Sequence, residues 1–339
     1  MSNESQPITE KPDPVIAQFL IKAADALSTP IRSFDLGDLI NTTLIRKNRE
    51  GRRTSQRFHP SSIPYMCDVK EAFKRVLNIW EDNQEWTVEA IKSTEGGTAT
   101  HEWFQNGLMS RTGMMWGNWR CRCCGAISEA CLKPHTCANT VSIAPRLGFS
   151  GSTRKCIEYH AKTADGFEYC EMRLEDTEHD VSGKIDGILV DKDTWYVLEL
   201  KSTTENILSA LQKSVSGDVI TLKPGYDLLP MEKHVEQSAI YVGMIKQLYV
   251  DTGKWNLPPN FGGAILIYIS RETLSSRGFL LPVTEHAFNR VKERVKTIRS
   301  LVEKKQPLYG QKICTSRASA PAKTCPFRLN CFPLKKAKK

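Results

Sequence analysis

Between residues 169 and 201 apolar and polar side chains alternate in three short runs, Tyr169 to Leu174, Val181 to Val190 and Thr194 to Lys201, the pattern of successive strands. A tight Asp191-Lys192-Asp193 turn joins the last two. In the third run Leu198 and Leu200 fall on one face, while Glu199 and Lys201 fall on the other. Gly263 to Ser270 is a further apolar strand. Helical periodicity marks Asp68 to Trp80, Ala99 to Ser110, Thr203 to Lys213, Leu228 to Val250 and Glu285 to Lys304. Strands interleaved with helices predict an α/β fold, a mixed central sheet flanked by helices. Residues 1 to about 14 are polar and read as frayed, and 15 to 58 as a small helical region. The chain is thus expected to divide into an N-terminal region, 1–58, a core built from 59–118 and 170–339, and a cysteine-rich insertion, 119–169.

Chemistry concentrates on these strands. Asp186, in Ser182-Gly183-Lys184-Ile185-Asp186-Gly187, precedes Glu199 and Lys201 on the neighbouring strand, and Glu171 on the first strand is a further carboxylate. Two acids and a lysine converging on one point suit metal-assisted phosphodiester hydrolysis, which needs hard oxygen ligands and a cation beside the attacking water. Downstream, Gln237 and Tyr241 are spaced to share one helical face, from which both are expected to reach a DNA strand.

Asp186, Glu199 and Lys201 resemble the motif residues of the PD-(D/E)XK nuclease core. Gly97-Thr98-Ala99-Thr100-His101-Glu102-Trp103 resembles the first motif of its RecB-like branch, which implies His101 as a nitrogen ligand. Gln237-x-x-x-Tyr241 resembles the branch's closing motif. Cys67, with Cys314, Cys325 and Cys331, resembles the four-cysteine clasp of RecB-like exonucleases similar to the CRISPR-associated family and the AddB nuclease domain. In that family the second and third cysteines lie close together, whereas ten residues separate Cys314 from Cys325 here. The resemblance implies a 4Fe-4S cluster; four thiolates by themselves suit either iron–sulfur or zinc. It further implies a restriction-endonuclease-like core and Mg2+ or Mn2+ on Asp186, Glu199 and His101. The implied activity is exonucleolytic, on DNA ends with a single-strand preference, in recombination, repair or replication, as in phage recombination nucleases. Two alternatives remain: a non-catalytic DNA-binding or assembly subunit of the same fold, and a site-specific endonuclease.

The insertion opens with Cys121-Arg122-Cys123-Cys124-Gly125, a Cys-x-x-Cys-Gly knuckle of the kind that wraps zinc. The candidates for the other two ligands are Cys131, His135, Cys137 and Cys156, of which Cys137 and Cys156 are favoured because Pro134 and the polar loop after it let the chain turn back. Such a zinc ion would supply folding energy to a segment with little apolar surface.

A net charge of +9 and a pI near 8.9 suit a polyanionic partner. Arg46, Lys47, Arg49, Arg52, Arg53 and Arg57 crowd one stretch, and Lys335, Lys336, Lys338 and Lys339 another. The first of these is a candidate for phosphate contact. Met1 to Pro7 has no export signal, so the eleven cysteines read as metal ligands of a cytoplasmic protein rather than as disulfides. No apolar run is long enough to span a membrane. No P-loop is present, so any unwinding falls to a partner such as a helicase or recombination protein.

Overall fold

A computed structural model describes residues 41–46, 56–79, 87–135, 137, 140–143, 152–156, 166–209, 231–323 and 325–332. The expected frayed start, most of the first basic run, the lysine tail and the second half of the helix predicted after Thr203 lie outside them. The chain forms two compact units, Met1–Arg52 with Trp86–Ile91, and Arg53–Glu85 with Lys92–Lys339. Of the first, residues 41–46 and most of 87–91 are helical. The second carries the architecture below, apart from the helical residues 88–91.

Its centre is a seven-stranded mixed sheet. In chain order the strands are β1 (Met115–Cys121), β2 (Ile127–Leu132), β3 (Thr140–Ile143), β4 (Ser152–Lys155), β5 (Phe167–Cys170), β6 (Met172–Asp176), β7 (Val181–Ile185), β8 (Gly187–Asp191), β9 (Thr194–Thr203), β10 (Asn260–Ser270) and β11 (Ser276–Leu281). The sheet runs β11-β10-β9-β8-β1-β2, with β5 also paired to β1; β9 and β10 are parallel and the other neighbours antiparallel. β3–β4 and β6–β7 are separate two-stranded ladders. The helices are α1 (Asp68–Leu77), α2 (Val88–Glu102), α3 (Glu232–Ile245) and α4 (His286–Glu303), with short turns beyond them. Helix α3 lies on β9 and β10 and packs against α4, which also carries α1. Gly243 makes the α3–α4 approach possible, because a Cβ there would collide with Phe288 and come within 2.9 Å of the Glu285 carbonyl. The alternation along β9 is buried on both sides: Leu198 and Leu200 are fully enclosed, and Glu199 is only 2% exposed beneath α3.

Two expected strands are broken, and the breaks matter. Tyr169 to Leu174 divides at Glu171 into β5 and β6, and Val181 to Val190 divides at Asp186 into β7 and β8. The β6–β7 ladder pairs Met172 with Ile185, so the next step of that register sets Glu171 opposite Asp186. Beyond this point the two strands part: β5 pairs with the far half of β1, and β8 with its first two residues. Periodicity within a strand carries no sign of a third strand entering between two others. For the same reason the insertion boundaries need correction. β1, β2 and β5 belong to the main sheet, so the cysteine-rich segment grows out of it. Among the described residues no helix is long and apolar enough to cross a membrane.

Candidate metal sites

The paired breaks bring Glu171 and Asp186 together, and the end of α2 adds His101. One ligand atom from each of these three lies within 4.8 Å of the others. His101 Nδ1 is 3.3 Å from Asp186 Oδ1. Burial acts to lower the His101 pKa, but the hydrogen bond to Asp186 and the carboxylate charges outweigh it and leave the imidazole raised. Asp186 is fixed from behind: its Oδ2 accepts the Leu200 N–H at 2.6 Å. Gln105 donates to the Asp186 carbonyl at 2.8 Å and lies 3.4 Å from Glu171. Sequence reasoning passed over Gln105, although its place four residues after His101 is the spacing that puts two side chains on one helical face.

Glu199 is not part of that tight trio. Lys201 Nζ donates to its Oε1 at 2.6 Å and Gln237 Nε2 to the same oxygen at 2.8 Å, while Gln237 Oε1 accepts from Lys201 at 3.0 Å. The three side chains close a triangle on one carboxylate oxygen. Both bonds use Oε1, which leaves Oε2 as the oxygen available to a cation. Burial first, then the neighbouring Asp186 charge, push the Glu199 pKa up to about 7, against the opposing pull of Lys201. The site therefore gathers His101, Asp186, Glu199, Lys201 and Gln237, with Glu171 as an additional acid.

Tyr241 needs correction. It is 4% exposed and packed so closely on β7 that a Cβ on Gly183 would lie 2.9 Å from its ring and from Pro60. The apolar surroundings hold its hydroxyl protonated, and it belongs to the core rather than to a strand-contacting edge. Gln237, 6% exposed, is likewise engaged inward. Two unforeseen groups sit beside Lys201. His234 Nδ1 lies 2.8 Å from the Tyr268 hydroxyl, which accepts the Met231 N–H. Burial and the nearby Lys201 and Lys233 charges lower His234 to about 3, so it is neutral and accepts the Tyr268 proton.

Cys121, Cys124, Cys137 and Cys156 form a second cluster, each offering a sulfur within 4.8 Å of the others, and could bind a metal ion. These are the four cysteines expected from the knuckle. Cys124 Sγ and Cys137 Sγ are 3.7 Å apart. A tetrahedron with metal–sulfur bonds of about 2.3 Å has edges of about 3.8 Å, so this spacing fits a single ion. Burial and the adjoining thiols raise the Cys156 pKa, which holds this sulfur as a protonated thiol unless a cation offsets its charge. Cys131 and His135 are not in the group.

Cys67, Cys314, Cys325 and Cys331 also come together. The Cys331 thiol is raised by burial and by the charges of the other three. Cys67, Cys325 and Cys331 pack around the stacked rings of Phe73 and Phe327, whose centroids are 5.3 Å apart. Among the described residues this foursome is not one whose sulfurs all lie within 4.8 Å.

No protein-family model matches the chain, and no curated protein matches it significantly. The solved crystal structure of SSO0001 overlays on 78% of this chain and 86% of its own at 11% identity, with a TM-score of 0.35; nothing about function follows from a likeness of that size.

Proposed function

We propose that this protein is a metal-dependent DNA nuclease with a PD-(D/E)XK-like core of the RecB branch. The observation that supports it most is the gathering of His101, Asp186, Glu199 and Lys201, drawn from one helix end, the break between β7 and β8 and the strand β9, into one neighbourhood. Asp186, Glu171, His101 and Glu199 Oε2 would hold Mg2+ or Mn2+, and the imidazole favours Mn2+. When bound, that cation supplies Lewis acidity toward the scissile phosphate and lowers the pKa of a coordinated water. Lys201 orients the water and offsets charge on the phosphate. Gln237 holds Glu199 and Lys201 in register, and the Leu200 amide and Gln105 hold Asp186.

The terminal cysteines would carry a 4Fe-4S cluster that ties the strand-flanking helix α1 to the end of the chain. The Cys121 group would carry structural zinc. The preferred substrate is a DNA end, with a single-strand preference, used in recombination, repair or replication, and any unwinding comes from a partner helicase. The test is cleavage of end-labelled linear DNA with Mg2+ or Mn2+, by wild type and Lys201→Ala, beside covalently closed circular DNA. Metal-dependent loss of linear DNA, abolished in the variant, is the expected result. Cleavage of the circle would make the enzyme an endonuclease, and no cleavage of either would leave a binding subunit.

A further inference from the structure

A cleft of about 570 Å³ opens beside the terminal cysteines, lined by Cys67, Cys314 and Cys325, by the cations Arg57, Lys70 and Lys74, and by His59. Among the described residues Glu71 is its only acidic lining residue. Arg57 pairs with Glu175 and Lys74 with Glu71, but Lys70 has no carboxylate partner among the described residues. At its edge Tyr65 leaves half of its surface, 51%, in solvent. The Lys233 ammonium sits over the Tyr65 ring, 5.3 Å from the centroid. Lys233 is one turn, about 6 Å, before Gln237 on the same face of α3. The chain carrying these groups is anchored to the catalytic strands: His59 Nδ1 bonds the Ser182 carbonyl at 2.8 Å, and Pro60 abuts Gly183 together with Tyr241.

Resting on the nuclease reading above, we propose that Lys201, Lys233, Tyr65 and the Lys70–Lys74 cleft form one continuous path for a single DNA strand, with Tyr65 as a base-stacking platform. Charge suits a nucleic-acid strand, and the exposed ring selects a single one. Positive charge recurs along the track to follow phosphates. A half-exposed ring stands between Lys233 and the cleft, and a ring stacks on an unpaired base whatever its identity. A duplex offers no free base face to it. The cations are not all assigned to balancing an anionic cysteine-bound cluster, because Lys233 does not line the cysteine cleft and instead stands over the ring of Tyr65 at the cleft's edge.

The test uses the full chain with its native metal content, in buffer without added divalent cation so that nothing is cut. Anisotropy of fluorescent oligo-dT and of a duplex of equal length is followed across a salt series. Tyr65→Ala should weaken oligo-dT binding about fivefold or more while Tyr65→Phe retains it, and duplex binding should change little. Lys70→Ala with Lys74→Ala should flatten the slope of log affinity against log salt by about 1.4, two single-strand phosphates at about 0.7 each. Unchanged oligo-dT affinity in Tyr65→Ala overturns the path. So does an unchanged salt slope accompanied by lost visible absorption in the lysine variant, which would assign those cations to the cysteine-bound group. Urea midpoints confirm that each variant is folded. Tyr65-dependent binding without metal-dependent cleavage would uphold the path and reject the nuclease. Cleavage without Tyr65-dependent binding would do the reverse.

Discussion

Replacing Lys201 with methionine keeps the length of the side chain and removes its charge, and the consequence depends on pH. Glu199 is 2% exposed and loses its nearest counter-charge, at 2.6 Å, keeping the Gln237 amide at 2.8 Å. Removing one member of a buried ion pair costs about 3–5 kcal/mol when the remaining charge stays ionised. In the wild type the Glu199 pKa is already raised, to about 7, by burial and by Asp186. A raised acid binds its proton more tightly in the folded than in the unfolded state. Its burden is therefore absent below the unfolded value of about 4.5, grows as pH rises from there to the folded value of about 7, and is constant above it. Loss of Lys201 moves the folded value higher still. At pH 8.5 the variant should be destabilised by about 3 kcal/mol relative to wild type, whose Glu199 is ionised and paired. At pH 5.5, where Glu199 is protonated in both, the difference should fall to about 1 kcal/mol, the order of one hydrogen bond. Urea unfolding without added divalent cation measures both, and on a slope of about 3 kcal/mol per M the pH 8.5 midpoint moves by about 1 M. Equal destabilisation at the two pH values would show that Lys201 acts through packing rather than through charge on Glu199.

Two further outcomes follow from the packing and the cysteines. Cys156→Ser should remove one tightly held metal ion per chain, read by mass spectrometry, and lower stability, because the buried sulfur closes the four-cysteine group; an unchanged zinc content would place the metal elsewhere. Gly243→Ala, which drives a methyl into Phe288 and the Glu285 carbonyl, should cost about 1–3 kcal/mol in urea melts, while its mild helix propensity gain alone would stabilise.

The alternating runs and helical periods were enough to write an α/β protein with a mixed sheet, and the β9 run put Glu199 and Lys201 on one face of it without any knowledge of its neighbours. Spacing also singled out Cys121, Cys124, Cys137 and Cys156 as a set, since a knuckle needs two more thiols after a chain reversal and the sequence offers few. These features are local, fixed by the backbone geometry of a single strand or loop. The strand breaks at Glu171 and Asp186 are not local. They arise because β1 pairs with both β5 and β8, a contact between segments some 50 to 70 positions apart in the chain; the β6–β7 register sets Glu171 opposite Asp186, and the tertiary packing of α2 brings His101 to both. Tyr241 illustrates the same limit from the other side. A spacing of four places it on the Gln237 face, but whether that face meets solvent or Gly183 is decided by what packs above the helix, and tertiary packing turned it inward. Residue pattern thus specified which groups share a strand or a helix face, because those relations follow from covalent geometry; which faces meet, and so which charges stand beside a common centre, was set by burial of the core.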